Sequence, residues 1–265
     1  METENIIKSN FSDISKEYEQ FCISKKTCKD CTQFECYKNV VLSEGNGKNP
    51  IFMFVAESPG NTEILKDKPL IGTAGQELRN NLRELGFNKK NSILTNVMPC
   101  RPLNNKFPSD PQIVKYCFFK WLKKEISILK PKFIITCGAH STRLISGKEK
   151  IKMSDIRGRW IFNKTYYCWT IATWHPSYVL RCKNDKDKQN VLIEFKCDLK
   201  KVINEWASLY SDRRLHMSDE NRKKTEISGL IQTHNKMMYE YDKALSKIIK
   251  EEDADIFSYT EALDW

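Results

Sequence analysis

The sequence predicts an α/β protein with a central, mostly parallel four-stranded sheet covered by helices on both faces, followed by a helical C-terminal extension. Between residues 26 and 208, apolar runs of strand length alternate with amphipathic patterns of helix length. Beyond about residue 210 the composition turns polar and then acidic. Strands that alternate with helices are typical of parallel sheets, because each crossover helix packs on a face of the sheet.

Four apolar runs carry the strand prediction. They read "PIFMFVAE" (50–57), "SILTNV" (92–97), "KFIITCG" (132–138) and "YYCWTIATW" (166–174). Each run is apolar on both of its faces and is followed by polar or turn-forming residues. This pattern is expected of parallel strands that are buried on both sides.

The helices are predicted from apolar spacing and from end signals. Residues 73–87 repeat leucine at helical intervals behind a threonine cap, and Gly86 ends the pattern. Residues 109–130 begin with a serine or aspartate cap and a proline in the first turn, and then continue as an amphipathic helix. Shorter helices are predicted over 9–22 and 139–146.

These patterns divide the chain into three regions. Residues 1–25 form an N-terminal helical segment, 26–208 form the main domain, and 209–265 comprise a polar linker, an amphipathic helix and an acidic tail. The C-terminal helix has one apolar stripe between Leu230 and Ile248, which is expected to pack on the main domain or on a second copy. We expect a monomer, with this helix as the candidate site of self-association or partner binding.

The distribution of charge points to a polyanionic partner. The formal net charge is +10, but the last fifteen residues contain six acids and no bases, so the remaining 250 residues carry +16. A body this basic favours nucleic acid as the partner. No apolar run approaches the roughly 20 residues of a membrane span, and the N-terminus lacks a secretory pattern. We therefore expect a soluble intracellular protein of the cytoplasm or nucleoid, without a membrane partner.

Three of the predicted strands end in polar side chains. Glu57 follows the first strand, Asn96 closes the second and His175 follows the fourth. Each alone has an ordinary explanation, since a histidine at a strand end is often a structural hydrogen-bonding residue and an asparagine often forms a turn. Ligands of doubly wound folds bind at the carboxyl ends of the strands. Together the three residues therefore predict one crevice.

Ten cysteines in a chain without a secretory signal indicate metal binding or core packing rather than disulfides. Cys28 and Cys31 form a C-x2-C pair, and Cys100 and Cys117 lie at a strand end and on the following helix. Four thiolates suit either tetrahedral zinc or an iron–sulphur cluster, and Cys36 is an alternative ligand. The competing interpretation is that these cysteines are unliganded and pack in the core.

Six segments carry a resemblance to a known family: "VAESPGNTE", "KPLIGTAGQEL", "ILTNVMPCRPLNNKFP", "LKPKFIITCGAHS", "IRGRW" and "TWHPSYVLR". In order and spacing they closely resemble the family 4 uracil-DNA glycosylases over about residues 26 to 205. The most specific element is "TNVMPCRP", followed by a second cysteine one helix later and by "HPS" near the domain end.

The resemblance implies the fold and the cofactor of that family. The fold would be a three-layer α/β/α sandwich, and the cofactor would be a 4Fe–4S cluster of structural rather than redox role. The implied ligands are Cys28, Cys31, Cys100 and Cys117, with zinc as the less favoured metal.

The resemblance also implies excision of a base from DNA, and this chemistry explains the polar strand ends. Removing a flipped pyrimidine leaves negative charge on the base and positive charge on the sugar. His175 would stabilise the anion by donating to the base O2. Asn96 would read the O4 and N3–H edge of the base, and Glu57 would position or polarise the attacking water. These three are the predicted catalytic residues.

Contacts with the DNA backbone are predicted for residues around this site. Arg101, Arg157 and Arg181 are the candidates for phosphate contacts, which position the DNA without reading its sequence. Pro176 and Ser177 would hold a tight turn whose backbone presses on the phosphates flanking the flipped nucleotide.

The predicted substrate-binding residues come from two loops of the family pattern, and here the chain departs from it. These residues are Ala56, Ser58, Pro59, Gly60, Glu63, Leu70 and Gly72. The family has glycine at position 56 and alanine or glycine at position 58. It has an acid where Ile64 stands, and at position 70 a phenylalanine that stacks on uracil. A stacked aromatic contributes about 1–3 kcal/mol per base. Leu70 therefore implies weaker uracil binding, a pocket for a bulkier pyrimidine, or stacking by another aromatic residue.

We expect a monofunctional DNA glycosylase of base-excision repair that releases uracil and leaves an abasic site. One alternative is a glycosylase for a modified, bulky pyrimidine of phage type, acting in defence. The other is a non-catalytic protein that binds uracil-containing or modified DNA. Retention of Glu57, Asn96 and His175 together argues against a decayed site.

Deleting residues 251–265 should tighten non-specific DNA binding, because six negative charges are removed from a chain whose remainder carries +16. The measurement is the dissociation constant for a random duplex at low and at moderate salt. Unchanged binding at both salt concentrations would contradict the prediction.

Overall fold

The computed structural model describes residues 2–30, 36–37 and 39–214 of the chain. Two compact units divide the chain, Met1–Lys201 and Val202–Trp265. The strands of the described residues are β1 Phe11–Ile14, β2 Cys36–Tyr37, β3 Glu44–Gly47, β4 Phe52–Ala56, β5 Ser92–Asn96, β6 Arg101–Pro102, β7 Phe133–Cys137, β8 Trp160–Asn163 and β9 Cys168–Thr173. The helices are α1 Glu2–Asn10, α2 Lys16–Lys26, α3 Asn61–Lys66, α4 Thr73–Glu84, α5 Pro111–Cys117, α6 Lys123–Leu129, α7 Ala139–Ser146, α8 Met153–Ile156, α9 Pro176–Leu180 and α10 Asp185–Arg214.

Within the described residues, seven strands form one sheet in the order β1-β3-β5-β4-β7-β9-β8, and β2 pairs with β6 in a separate two-stranded ribbon. The pairs β5–β4, β4–β7 and β7–β9 are parallel. These central strands are the four predicted from the apolar runs, and all of their residues are buried. The predicted α/β class with a mostly parallel sheet is confirmed.

The sheet has three more strands than the four predicted, namely β1, β3 and β8. Two of them, β1 and β3, lack an apolar sequence pattern. β3 reads Glu-Gly-Asn-Gly and is held by pairing with β1 and β5. Gly45 in β3 has φ +133, and a Cβ there would overlap the backbone of Ser92 and Ile93 in β5. β8 pairs antiparallel with β9 at the opposite edge of the sheet. The edge strands β1 and β8, and β3 beside β1, are decided by tertiary pairing and not by local propensity.

The N-terminal residues 9–22 differ from the single predicted helix. β1 separates α1 from α2 by pairing in parallel with β3, and Ser15 begins α2 by accepting a hydrogen bond from the Tyr18 N–H. Tyr18, Phe21 and Cys22 are buried in the same hydrophobic cluster as residues of the sheet. The N-terminal segment thus contributes to the core.

The predicted helix 109–130 forms with an irregularity at its centre. Asp110 caps it by accepting from the Gln112 N–H at 2.8 Å, and Pro111 occupies the first turn as predicted. A π-helical turn over Phe118–Leu122 then joins α5 to α6. The buried positions include the pairs 117/118, 121/122 and 125/126, which repeat every four residues. In an ideal helix of 3.6 residues per turn, positions with this repeat would drift gradually around the helix axis. The extra residue of the π turn keeps them on one face.

Two further boundaries differ from the sequence prediction. The N-cap of α4 is Gly72, with no side-chain cap, and Thr73 is already the first helical residue. α10 continues to Arg214, past the predicted end of the main domain at 208. The C-terminal helix and the acidic tail lie outside the described residues, and the domain limits stay a prediction. Within the part of the chain that the structure describes, no helix combines the length and apolarity needed to cross a bilayer.

A buried ion pair joins the N-terminal helix to the rest of the core. Lys25 Nζ lies 2.9 Å from Glu125 Oε2, and the two side chains are 2% and 0% exposed. Tyr18 and Ser43 donate to Glu125 Oε1, and Thr95 donates to Oε2 at 3.1 Å. Burial alone would raise the pKa of Glu125, but the Lys25 ammonium and the hydroxyl donors hold this pKa below its usual range. The carboxylate therefore stays ionised and links α2, α6 and β5.

Replacing Lys25 by Met should lower the free energy of unfolding by about 3–5 kcal/mol, since it leaves a buried carboxylate without its counter-charge. The measurement is chemical denaturation at pH 7. The matched control is Lys48→Met, whose partner Asp13 is exposed and which should change stability by no more than about 0.5 kcal/mol. Equal losses in the two variants would contradict the prediction.

Candidate active site

The strand order places a crevice at the carboxyl edge of the sheet. The chain passes from β4 to β5 on one side and later returns to β7 on the other side of β4. Such a reversal opens a space outside the ends of the two strands, where ligands of doubly wound folds bind. Glu57 directly follows β4 and Gly138 directly follows β7. The register pairs Ala56 with Asn96, so the predicted polar ends of β4 and β5 meet at this edge.

Gly138 is the point at which Glu57 and His175 come together. A Cβ built on Gly138 would lie 2.9 Å from Glu57 Oε1 and 2.9 Å from His175 Cβ. Its φ of +98° is one that L side chains rarely adopt. The Gly138 N–H donates to the Thr173 carbonyl at 3.0 Å, which fixes the end of β7 against β9. Only glycine lets the two side chains approach this closely.

His175 is held in one tautomer by the helix that it caps. Its Nδ1 accepts from the Ser177 N–H at 3.2 Å and lies 2.7 Å from Ser177 Oγ. Arg181 donates to the same hydroxyl at 2.9 Å. Because Nδ1 is the acceptor, the neutral ring carries its proton on Nε2. Burial, followed by the Arg181 cation and by His140, lowers the pKa of His175 to about 4, so the imidazole is neutral at pH 7.

Glu57 has few partners of its own. Its carboxylate accepts from the backbone N–H of His140, and the cations Arg181 and Arg143 lie near it. Burial outweighs these groups and raises the pKa of Glu57 above its usual range. The backbone of Glu57 is fixed by its carbonyl, which accepts from the Met98 N–H at 3.0 Å. A carboxylate with a raised pKa beside a neutral imidazole can orient water or stabilise a developing cation.

Asn96 is buried at the end of β5 with its amide oxygen unsatisfied. The side chain is 5% exposed, and Oδ1 has no hydrogen-bond partner among the described residues. A buried acceptor without a donor costs about 1–3 kcal/mol. A ligand N–H group would remove this cost, so recognition of a ligand by Asn96 stays a prediction that this unsatisfied oxygen favours.

Glu63 braces the two loops that carry the other predicted substrate residues. Its Oε2 accepts from the Gly60 N–H at 3.0 Å, and its Oε1 accepts from the N–H groups of Ile71 and Gly72 at 2.9 and 2.6 Å. Both carboxylate oxygens are thus used by backbone amides. These contacts favour a positioning role for Glu63, while substrate contacts by the remaining loop residues stay a prediction; these are Ala56, Ser58, Pro59, Gly60, Leu70 and Gly72.

Leu70 is held in a left-handed conformation that bulky residues avoid. Its φ is 54° and its side chain is buried. Arg79 Nε donates to the Leu70 carbonyl at 2.7 Å, and a side chain at Gly75 would overlap the Leu70 backbone. A strained residue that its surroundings fix in this way is typical of functional loops.

The three predicted phosphate-binding arginines differ in their contacts. Arg181 is linked to His175 by the Ser177 hydroxyl, which both side chains contact. Arg101 donates to Asn105 Oδ1 at 2.8 Å and to Asn61 Oδ1 at 3.1 Å. Arg157 is engaged by Asp198 at 3.0 Å and by the Glu194 carbonyl at 2.8 Å. These contacts favour a structural role for Arg157 over the predicted phosphate contact.

The predicted turn after His175 is the first turn of a helix. Pro176 and Ser177 belong to α9, and His175 is its N-cap. The Ser177 N–H is used by His175 Nδ1. The phosphate contacts predicted for this backbone stay a prediction.

Three of the four predicted metal-binding cysteines share one region of the core. Cys100 and Cys117 are buried in the main hydrophobic cluster, and Cys28 packs against it. Cys31 lies outside the described residues, as does the side chain of Cys36. Among the described residues, no group of three or more cysteines, histidines or carboxylates has a geometry suited to a metal ion.

Two described residues of the N-terminal cysteine segment, Asp30 and Tyr37, contact the other two cysteine segments. Asp30 pairs with Lys120 and accepts from the Tyr116 hydroxyl at 2.9 Å, on either side of Cys117. Tyr37 in β2 pairs with Arg101, the neighbour of Cys100. Thiol donors in apolar surroundings fit a thiolate-ligated centre of iron or zinc.

Sequence reasoning missed two residues of the crevice. Gly138 could have been found as a glycine directly after a buried strand. His140 lies two residues further on, and its ring packs at a tilt against the Phe107 ring, with centroids 4.1 Å apart. Its signal was weak, because a single histidine in a short helix has many structural explanations.

Comparison with known proteins gives a consistent set of matches. The family model described as the uracil DNA glycosylase superfamily matches residues 42–200. The chain is similar to the Type-4 uracil-DNA glycosylase of Saccharolobus solfataricus, with 34% identity over 167 residues that cover 58% of this chain and 73% of the relative. It is 33% identical over 170 residues to the Type-4 uracil-DNA glycosylase of Thermotoga maritima, covering 63% and 85%. The corresponding protein of Pyrobaculum aerophilum is 34% identical over 161 residues, covering 59% and 81%.

Gly138→Ala should displace the partly buried side chain of His175. Its pKa should rise from about 4 toward the ordinary value of about 6.5, because the new Cβ would lie 2.9 Å from both Glu57 Oε1 and His175 Cβ. The measurement is an NMR titration of the histidine ring protons. The matched control is Gly86→Ala, which has φ +88° but no atom within 4 Å of its added Cβ. Gly86→Ala should lower the free energy of unfolding by about 1–2 kcal/mol, the cost of a left-handed backbone at a non-glycine residue. It should leave the titration of His175 unchanged. An unchanged His175 titration in Gly138→Ala would contradict the prediction.

Proposed function

The chain belongs to the uracil-DNA glycosylase superfamily and is a DNA N-glycosylase; from this premise we propose that it hydrolyses the N-glycosidic bond of uracil flipped out of DNA and leaves an abasic site. The observation that carries the proposal is the meeting of a neutral His175 and a poorly solvated Glu57 over Gly138. This pair supplies a hydrogen-bond donor for one side of the breaking bond and a negative charge for the other.

His175 acts on the departing base. As the bond between C1′ and N1 breaks, its electron pair moves into the pyrimidine ring and charge builds on O2. The Nε2–H of the neutral imidazole donates to this oxygen without giving up its proton, because Nδ1 is already occupied by Ser177. Such a donor contributes about 2.7–4 kcal/mol to a developing oxyanion in other enzymes.

Glu57 acts on the sugar. The C1′ carbon becomes electron-poor as the base leaves, and a carboxylate nearby stabilises it and orients a water molecule toward it. The water oxygen bonds to C1′, and the water proton is ultimately taken up by the released base. Atoms balance as one water consumed, one abasic deoxyribose formed and one free pyrimidine released.

Asn96 supplies selection for the base. Its unpaired Oδ1 accepts from the N3–H of uracil, and its amide N–H donates to O4. Cytosine has an acceptor at N3 and a donor at C4, so the same amide would face two mismatched groups. Leaving such groups unpaired in a buried site is the strongest form of rejection available to a protein.

A second candidate substrate is a modified, bulkier pyrimidine, as in phage DNA, with a role in defence. The observation that favours it is Leu70, which stands where relatives carry the stacking phenylalanine and which is fixed in a strained conformation. A leucine side chain is smaller than a phenylalanine ring, so the pocket has room for a larger base.

Contacts with DNA are assigned to the basic groups at the rim of the crevice. Arg181 donates to Ser177 in α9, which follows β9, and Arg101 donates to Asn61 at the start of α3, which follows β4. Both are suited to phosphate oxygens, which would hold the duplex while the nucleotide is flipped. The net charge of +10 adds a sequence-independent attraction.

Cys28, Cys31, Cys100 and Cys117 are proposed as the ligands of a 4Fe–4S cluster. The cluster would supply a rigid covalent crosslink between the segment after α2, the segment that joins β5 to β6 and the end of α5. No chemical step depends on it. Its consequence is structural, since Arg101 directly follows one of the ligands.

The test of the proposed activity is a base-release assay with oligonucleotides that contain uracil, thymine mispairs, hydroxymethylated or glucosylated pyrimidines. Wild type should release uracil, and His175→Ala should lower the rate by about 10²–10³-fold. The matched control is His216→Ala, at a histidine far along the sequence from the site, which should retain full activity. Release of only a larger base would select the second candidate, and binding without release would leave a non-catalytic DNA-binding protein.

Cys117→Ser should remove the brown colour and visible absorbance expected of an iron–sulphur cluster, together with most of its iron. The measurement is iron and acid-labile sulphide per chain in anaerobically purified protein. Cys182→Ser is the control, because Cys182 is not among the proposed ligands and should leave both contents unchanged. Stoichiometric zinc in a colourless wild type would contradict the cluster.

A further inference from the structure

His140 lies in the crevice but has no role in the chemistry proposed above. It is the second residue of α7, directly after Gly138 and Ala139. Its backbone N–H donates to the Glu57 carboxylate, and its ring is close enough to His175 to lower the pKa of that residue. The side chain is partly buried. The backbone of His140 is thus held by Glu57, and its ring lies near His175.

Phe107 supports the His140 ring from behind. The two ring centroids are 4.1 Å apart at an interplanar angle of 33°, and Phe107 also packs against the hydrophobic core. A flat ring that packs against a second ring on one face can stack a third planar group on the other. Burial, followed by the nearby Arg143 cation, lowers the pKa of His140 below its usual range, so its ring is neutral at pH 7.

The segment that carries Phe107 is held by contacts with the start of α3. Arg101 links Asn105 to Asn61, which begins α3 directly after the loop that contains Glu57. Asn104 and Asn105 both have positive φ, 53° and 55°. Consecutive residues in this region persist only where their surroundings fix them. Phe107 is therefore placed by built contacts and not by chance packing.

We propose that the His140 ring, backed by Phe107, is the flat face on which the flipped pyrimidine stacks in this chain. The inference rests on the proposed function for the identity of the base. It explains how the pocket can hold a planar ring although Leu70 replaces the aromatic residue expected in the loop before α4. His140 is then a base-contact residue, and Phe107 is a positioning residue that acts through it.

The experiment measures binding of free uracil to the full-length protein by ligand-observed NMR and calorimetry. The variants are His140→Leu, His140→Phe and His140→Gln, all of which keep the backbone N–H that holds Glu57. His140→Leu and His140→Gln should weaken uracil binding about 10-fold, and His140→Phe should stay within about 2-fold of wild type, because only phenylalanine restores a flat face. Phe107→Leu should weaken binding by a smaller factor. Phe119→Leu, at a surface aromatic that is 46% exposed, is the matched control and should have no effect.

The outcomes separate this inference from the proposed function. Unchanged binding in His140→Leu would overturn it, and so would equal weakening in His140→Phe and His140→Leu, which would make the ring a hydrogen-bonding group. No detectable uracil binding by wild type would overturn it as well. If wild type binds uracil through His140 but releases none from DNA, the stacking face stands and the proposed uracil activity fails. If it releases uracil while His140→Leu binds normally, the activity stands and the stacking face fails.

Discussion

The close approach of the Glu57 and His175 side chains to Gly138 is the constraint on which the rest of the site depends. The two side chains come from the ends of β4 and β9, which are separated in the sheet by β7. They can meet only because the residue that follows β7 has no side chain and has φ +98°. Parallel register brings the strand ends to one edge, and the reversal of strand order opens the space above them. The order and register of the strands therefore set the geometry of the candidate site.

Three glutamates with restricted access to solvent show how neighbours assign different roles to one side chain. Glu125 faces Lys25 and three hydroxyl donors, so it stays ionised and stabilises the core. Glu63 gives both oxygens to backbone amides of two loops and fixes their spacing. Glu57 receives one backbone N–H, and burial raises its pKa. Of these three, the carboxylate with the fewest partners is the one proposed to act on a substrate.

Some unfavourable features of the structure belong to the segments of the candidate site. Asn96 keeps an unsatisfied buried oxygen, and Leu70, Asn104 and Asn105 adopt positive φ. Each costs free energy that packing elsewhere must offset, and such costs persist mainly where function requires them. A uracil ring would relieve the Asn96 deficit directly. The neutral His175 belongs to the same pattern, because a buried imidazole that cannot easily gain a proton remains a donor through Nε2 over the whole physiological range.

The sequence by itself determined the four central strands, most helices between them and the placement of Glu57, Asn96 and His175 at strand ends, because apolar runs and turn signals are local properties. It also supplied the family, through motifs whose order is readable without coordinates. Only the tertiary structure decided that β1 and β3 join the sheet, since Glu-Gly-Asn-Gly becomes a strand through pairing and not through propensity. It alone revealed Gly138 and His140 at the site and the commitment of Arg157 to Asp198. Distances and protonation states arise from groups far apart along the chain, which no local pattern encodes.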